Sequence, residues 1–552
     1  MKIPYPFVRL KESLAQDGLH TTVQKILHRV KAGKFRVRER YFQGADRDPD
    51  KVYRLWREKN ALAAGDIEKM KEASHKLSYR PIMSIVIPVY KPDLHFFRRA
   101  VESVRGQAYP FWELCFCDDG SRDAAVGRTL RDLAGNDARI KLRVETKNGG
   151  IVSASQKAAG LARGEFIAFM DQDDLLSQDA LFRVAELLNR DPSLDLIYSD
   201  NDKVDLSETH GEVYFKPDYS PDEFFCHNYI GHLSVLRKKI FDGIGGFLPG
   251  FDGAQDFEVL LRAVERTDRV AHLPYVLYSW RKTPGSTASS PAAKRYAYES
   301  GKRALEEFFR RKGEEVRVEE TDEQGLYRCR FPVKGDPKVS VIRSPGAASG
   351  ERARTFNRMA REAAGDHLIF LGEGLSPARP DWVESLLEPL QRNGVGIVGA
   401  KILGQGGAIR EGGKVLGLQG QVGAAFRGVP ENALIYNQPH RLIRNCSAVS
   451  WDAMLVSKEL FERLGGFDED MGDDYADADF CLRARRLGIW IVWTPFSVLR
   501  SSKAAERNAH GADPARANNF REKWKDVLAR PDPFYNVNLS LRYTDFSPEV
   551  EG

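Results

Sequence analysis

The chain predicts an α/β protein in which a mostly parallel sheet carries helices on both faces, preceded by a helical extension and followed by a truncated second copy of the same unit. Three observations point that way. From Pro81 onward buried-strand patterns alternate with amphipathic ones, polar clusters close the strands, and two long stretches repeat one another. At 552 residues the chain has room for three or four domains, and its 42% hydrophobic content gives each a core.

Residues 1–78 read as helical and polar. The formal net charge of +5 is local: residues 1–40 hold ten Lys or Arg against three acids, so the rest of the chain is slightly acidic. Such a local excess argues against a protein built around nucleic acid. Val23, Ile26, Leu27 and Val30 fall at helical spacing beside these basic residues, and two readings stay open. One is a cap whose apolar stripe packs on the next unit. The other is an arm on an anionic membrane surface, a peripheral contact. No signal peptide is visible. The least charged apolar stretch, Leu487–Leu499, holds a proline and falls short of the roughly 20 residues of a membrane helix. The six cysteines form neither a CxxC pattern nor a disulfide framework, which fits a reducing cytoplasm.

PIMSIVIPVY (81–90) is a buried strand, followed by an amphipathic helix from about Leu94 to Gly106. WELCFCDDGS (112–121) is a second strand ending in acid and glycine, and IKLRVETKN (140–148) a third; helix 151–163 and strand GEFIAFMD (164–171) follow. Ligands of such sheets sit at the carboxyl ends of the strands, where these polar clusters lie. GEFIAFMDQDDL (164–175) repeats as GDHLIFLGEGL (365–375), and GGFLPGFDGAQDFEVLLRA (245–263) as GGFDEDMGDDYADADFCLRA (465–484). The second copy is expected to begin near the equivalent of the third strand, because DPKVSVIR (336–343) resembles DARIKLRV (137–144). The chain then divides into an extension (1–78), a first unit (79–313), a connector (314–336), a second unit (337–510) and a tail (511–552).

Asp171, Asp173 and Asp174 crowd three carboxylates into four residues, a cluster that a divalent cation neutralises; hard oxygen ligands suit Mg²⁺ or Mn²⁺. An acidic turn capping the helix near Ser177 gives the same pattern. Pro88, Val89 and Tyr90 end the first strand and Asp118 and Asp119 the second, placed for ribose and base contacts or as helix caps. Asn148, Gly149 and Gly150 precede a helix, either under a diphosphate or as an ordinary turn. Asp256, at a helix start after a glycine-rich stretch, is a candidate base or a first-turn acid favoured by the helix dipole. Trp280 and Arg281 offer a platform and an anion contact, or a packed Trp and a surface Arg.

Together these motifs resemble the GT-A glycosyltransferases of family 2 over residues 81–290. The matching segments, in order, are SIVIPVY, the DDGS strand end, NGG, MDQDD, DLIYSDNDKVD (195–205), YFKPDYSPD (214–222), GGF, QDFEVLLR and YSWRKTPGST. The resemblance implies a Rossmann-like GT-A fold and a nucleotide-sugar donor held by Pro88, Val89, Tyr90, Asp118, Asp119, Gly149, Gly150, Asp171, Trp280 and Arg281. It implies Mn²⁺ or Mg²⁺ on Asp171, Asp173 and Asp174. Asp256 would be the base that deprotonates an acceptor hydroxyl, with inversion at the sugar C1. The acceptor class implied is a growing surface polysaccharide or a lipid-linked glycan. Ser279 stands where many relatives carry a His before the Trp, and the QxxRW pattern and membrane helices of processive synthases are missing, which implies a soluble, non-processive enzyme. In the second copy Gly372, Glu373, Gly374 and Leu375 replace the acidic cluster, while Asp473, Asp474, Asp477 and Asp479 remain, Asp477 matching Asp256. That copy reads as a degenerate transferase that packs, holds acceptor glycan or presents the first unit. The alternative for the whole chain is a non-catalytic carbohydrate-binding or assembly protein built on the same folds.

Overall fold

The computed structural model of the chain describes residues 48–283, 295–344, 350–435, 437–502 and 513–550. The basic stripe of residues 1–40, with both of its readings, and the WRKTPGST segment from Pro284 onward lie outside those residues. The described part of the extension forms helices Pro49–Lys59 and Asp66–Lys76. The first buries Tyr53 and Trp56, with the Trp56 ring edge-on to Phe215 at 4.8 Å.

The first sheet comprises β1 (Met83–Val89), β2 (Trp112–Asp118), β3 (Ile140–Val144), β4 (Phe166–Phe169), β5 (Leu175–Leu176), β6 (Leu196–Val204), β7 (His210–Tyr214), β8 (Ser234–Arg237) and β9 (Val270–Arg281). Their order is β3-β2-β1-β4-β8-β6-β9-β5, with β7 beside β6. β3, β2, β1, β4, β6 and β9 run one way, and β5, β7 and β8 run against them. β1 and β2 are covered on both faces, which is why they read as near-continuous apolar runs. Helices Leu94–Arg105, Ala124–Asn136 and Ile151–Ala159 are the crossovers. The first starts where the Asp93 carboxylate accepts from His95 and Phe96 N–H, and it buries Phe97, Ala100, Val101 and Val104 at helical spacing. These crossovers bring the carboxyl ends of β1, β2 and β4 to one edge.

Residues expected to form a polar connector instead pair as a hairpin, β10 (Arg317–Glu320) with β11 (Tyr327–Arg330). Buried Val318, Tyr327 and Cys329 alternate with charged residues over strands too short for the pattern to stand out in a charged stretch. The second sheet contains β12 (Val339–Arg343), β13 (His367–Leu371), β14 (Leu375–Pro377), β15 (Val395–Leu403) and β16 (Ile409–Glu411). After a separate pair, β17 (Lys414–Leu416) and β18 (Val422–Ala424), it continues with β19 (Arg444–Asn445), β20 (Ala453–Ser457) and β21 (Trp490–Ser501). The order β12-β13-β20-β15-β21-β14 reproduces the half of the first sheet from β1 to β5.

The repeat holds at the level of single hydrogen bonds. Arg262 binds Glu258 and the carbonyls of Ile244 and Gly246; Arg483 binds Asp479 and the carbonyls of Leu464 and Gly466. Asp256 and Asp477 therefore occupy one position on equivalent helices. One expectation is corrected. β12 stands where β1 stands, not where β3 does: Val339 pairs with His367 as Met83 pairs with Phe166. Gly365 N–H donates to Ser340 Oγ at 3.0 Å, as Gly164 N–H donates to Ser84 Oγ at 2.9 Å. A Cβ at Gly164 would lie 2.4 Å from the Ile82 carbonyl, and one at Gly365 2.7 Å from that of Lys338, so both positions need glycine. β12 reads like β3 because both are half-exposed edge strands, whereas β1 is central and apolar. What the second unit lacks is the pair β2 and β3.

Residues 513–550, expected as a tail, are built into the body. Asn536 Nδ2 donates to both oxygens of buried Asp200 on β6 at 3.0 and 2.9 Å, where His272 Nε2 also bonds at 2.9 Å. Asp222 accepts from Arg392 at 2.9 and 2.5 Å and from Asn445 Nδ2 at 2.7 Å, joining the two units. Asp202 accepts from Tyr53 Oη at 2.6 Å and Arg57 Nη1 at 2.7 Å, holding the N-terminal helix.

Lys216 lies under this network, its Nζ donating to the carbonyls of Ile230 at 2.7 Å and His232 at 3.0 Å. Burial pushes its amine down to about 7, with Asp200 opposing. The unfolded chain keeps that proton to much higher pH, so from pH 7 upward unfolding takes up a proton and the fold gains stability. Between pH 7 and 9 the unfolding free energy of the wild type relative to Lys216→Met is expected to rise by about 2 kcal/mol in urea titrations.

Candidate active site

The carboxyl ends of β1 and β2 border an open cleft of about 710 Å³ lined by Tyr90, Lys91, Pro92, Ser121, Arg122 and Lys147, among others. Lys91, Arg122 and Lys147 give it a cationic wall suited to an anionic ligand. None of the three stood out in the sequence, because each lies alone in its own loop. Tyr90 is 42% exposed at the rim. Val89 is buried and its carbonyl accepts from Asp119 N–H at 2.8 Å, so it supports the strand end and does not line the cleft; Pro88 is partly exposed beside it.

Asp118 and Asp119 are buried behind the cleft and hold the loops that border it. Asp118 Oδ1 accepts from Ser121 N–H at 3.1 Å. Asp119 accepts from Gly149 N–H at 2.9 Å and from Gly150 N–H at 2.9 Å. The amides expected under a diphosphate are therefore turned to Asp119, which clamps the start of helix Ile151–Ala159 against β2.

The acidic turn follows β4. Gln172 joins it to the cleft rim, its Oε1 accepting from Tyr90 N–H at 2.9 Å and its Nε2 donating to the Tyr90 carbonyl at 3.2 Å. Among the described residues neither oxygen of the Asp171 side chain has a hydrogen-bond partner. Burial raises the Asp171 carboxyl above the usual range; His232 opposes this and the Asp256 charge adds to it. Asp173 is pushed up to about 6 by burial and then by the Asp171 charge, while Thr283 Oγ1 donates to it at 3.1 Å. Asp174 differs from both. Tyr278 Oη donates to its Oδ2 at 2.6 Å and Arg281 N–H to its Oδ1 at 2.7 Å, so both oxygens anchor the turn to β9. Burial, followed by the charges of Asp171 and Asp173, raises it well above the usual range.

Arg281, expected as an anion contact or a surface residue, is 2% exposed and braces the turn from behind. Its Nε donates to the Asp173 carbonyl at 2.8 Å, and its guanidinium lies 4.5 Å from the Phe96 ring centroid. Trp280 packs on Gly231 and His232. His232 gave no signal in the sequence, being a lone imidazole in an apolar run. It stacks on Tyr278 at 5.1 Å, and its buried Nδ1 has no hydrogen-bond partner among the described residues. Asp256 sits in the first turn of helix Gln255–Val264, where Asn228 Nδ2 donates to its Oδ2 at 2.9 Å. The structure thus brings Asp171 and Asp256 within electrostatic reach of one another across 85 residues of chain.

The family model described as Glycosyl transferase family 2 matches residues 84–245, from β1 through the acidic turn to the glycine pair ahead of Asp256. Residues 84–245 belong to glycosyl transferase family 2. The chain carrying this family 2 domain is 34% identical over 560 residues to the protein y4gI of Sinorhizobium fredii (strain NBRC 101917 / NGR234), covering 90% of this chain and 61% of that one. It is 31% identical over 536 residues to O-antigen biosynthesis protein RfbC of Myxococcus xanthus, covering 86% of this chain and 41% of that one. The chain thus spans less than two thirds of either relative. Among solved structures, S. aureus TarS 1–349 is 18% identical with a TM-score of 0.33, covering 41% of this chain and 65% of that one.

The second unit, which repeats half of the first sheet, has a different electrostatic centre. Asp477 is 1% exposed, and Lys414 Nζ donates to its two oxygens at 2.7 and 2.6 Å. A Cβ at Gly372, the counterpart of Asp171, would lie 2.7 Å from Asp452 Oδ1, and Asp452 is paired with Arg352 and Arg410. Side-chain cations neutralise these acids from within the fold.

Proposed function

We propose that the first unit is an inverting, metal-dependent glycosyltransferase that moves a sugar from a nucleotide-sugar donor to a growing surface polysaccharide or a lipid-linked glycan. The observation that carries this reading is the pairing of an acidic turn, whose Asp171 oxygens make no hydrogen bond among the described residues, with a separate carboxylate, Asp256, within electrostatic reach of it. The similarity to RfbC, an O-antigen biosynthesis protein, supports the acceptor class.

Asp171 and Asp173 fit a divalent cation: both are hard oxygen ligands whose carboxyls are raised by burial, with the charge of Asp256 adding at Asp171 and that of Asp171 at Asp173, a cost that a cation relieves. Among the described residues no three His, Cys, Asp or Glu side chains are grouped to enclose an ion. Mn²⁺ or Mg²⁺ would be held there by Asp171 and Asp173, while Asp174 is occupied by Tyr278 and Arg281. When bound, the ion supplies positive charge against the leaving diphosphate. The cationic cleft wall holds the donor, with Tyr90 at its rim. Asp256 takes the proton of the acceptor hydroxyl as that oxygen bonds to C1. The C1–O bond to the diphosphate breaks on the opposite face, its electron pair leaving with the nucleotide, and the configuration inverts.

The second unit serves as scaffold or acceptor platform, since Lys414 occupies the oxygens that its base would need. Asp477→Asn is accordingly expected to lower the melting temperature, because it strands the buried Lys414, yet to leave turnover per folded enzyme, measured below that temperature, within about twofold of wild type. Six free, buried thiols suit a reducing compartment and support a cytoplasmic reaction. Among the described residues no helix is long and apolar enough to cross a membrane; contact with a membrane-borne acceptor would fall to the basic residues 1–40. Incubation with UDP-, GDP- and dTDP-sugars and Mn²⁺ tests the reading. Nucleotide release with one donor supports it, and silence across the panel favours a non-catalytic carbohydrate-binding protein.

A further inference from the structure

We infer that Asn228 is a positioning residue that aims the Asp256 carboxylate at the acceptor, an inference that rests on the transferase reading above. Asn228 Nδ2 donates to Asp256 Oδ2 at 2.9 Å, while Asn228 Oδ1 accepts from Gly231 N–H at 3.1 Å. The second bond settles which way the amide faces. Its oxygen must meet the Gly231 donor, so its NH₂ must meet the carboxylate. Gly231 is itself held at φ +44°, with Trp280 packed 3.5 Å from where a Cβ would stand. The chain from Trp280 through Gly231 and Asn228 fixes one oxygen of Asp256 and leaves Oδ1 for the acceptor hydroxyl.

The second unit shows what the same carboxylate does without the amide. Arg237 pairs with Phe166 as Ser457 pairs with His367. Counting back in sequence from these pairs, past the N-terminal ends of β8 and β20, sets Gly231 against Trp451 and Asn228 against Ala448. With alanine there, Trp451 N–H donates directly to Asp477 Oδ2 at 3.2 Å and Lys414 takes both oxygens. Asn228 interposes a neutral donor between backbone and carboxylate, so Asp256 is oriented without being capped by a cation.

The test uses the full chain with the donor that the panel identifies, Mn²⁺, and an acceptor glycan or, failing one, water as acceptor. N228A should lower kcat roughly ten- to a hundredfold, the usual scale for a lost hydrogen bond to a charged group. Donor KM should stay within about twofold, and the melting temperature should fall only slightly, through the lost Gly231 bond. N228D separates positioning from support of the loop. It is isosteric and keeps an acceptor for Gly231 N–H, but it sets a second carboxylate against Asp256, so its kcat should fall at least as far as that of N228A. Wild-type kcat in N228D overturns the inference while leaving the transferase reading intact. So does a loss confined to donor KM and melting temperature. A wild type silent with every donor overturns the transferase reading and this inference together.

Discussion

Asp256→Asn is expected to cut turnover about a thousandfold, the middle of the range that a positioned general base supplies. The introduced amide is isosteric, and its oxygen still accepts from Asn228, so helix Gln255–Val264 and the cleft keep their geometry. Only the proton acceptor is lost. Donor affinity, read by titrating the nucleotide-sugar into the variant, should match the wild type. A variant that turns over at the wild-type rate would remove Asp256 from the reaction.

Replacing Asp171 and Asp173 together by Asn is expected to abolish transfer and Mn²⁺ binding, the latter read by the loss of free Mn²⁺ signal on titration with protein. The metal-free variant should melt higher than the metal-free wild type. Asp171, Asp173 and Asp174 are each raised by burial, and the charges of Asp171 and Asp173 weigh on Asp174. Two neutral amides remove that repulsion and leave the bonds from Tyr278 and Arg281 to Asp174 in place. Higher stability with lost function is the pattern of a site whose charges serve a ligand and not the fold. Full residual transfer would move catalysis to the second unit.

Much of the cleft was legible because its residues sit at strand ends, where apolar runs stop abruptly at Tyr90, Asp118 and Asp171. What the sequence concealed is which polar groups face inward. Asp119, Asp174 and Arg281 belong to the right motifs, yet their polar atoms are used by Gly149 and Gly150, by Tyr278 and β9, and by the Asp173 carbonyl. That depends on side-chain direction, which motif spacing does not carry. Asn228 and His232 were hidden for the converse reason: each is a single polar residue in an apolar stretch. The truncated copy was recognisable from its glycines, but its first strand was equated with β3, because edge exposure shapes composition as strongly as ancestry does. The acids of YSDNDK and SPD, matched as family motifs, turn out to hold the chain together: Asp200 the C-terminal segment, Asp202 the N-terminal helix and Asp222 the second unit.

The bond from Asn536 to Asp200 sets a clock on biosynthesis, because the two residues are 336 apart in the chain. At roughly 5–20 residues per second of translation, the carboxylate waits about 20–70 s for its amide. During that interval the nascent chain already holds β1, β2, β4 and the acidic turn, with His272 the partner of Asp200 already made. A ribosome stalled late in the message would therefore carry a shaped cleft on a body whose buried carboxylate is still open to water, and chaperones would meet the protein in that form.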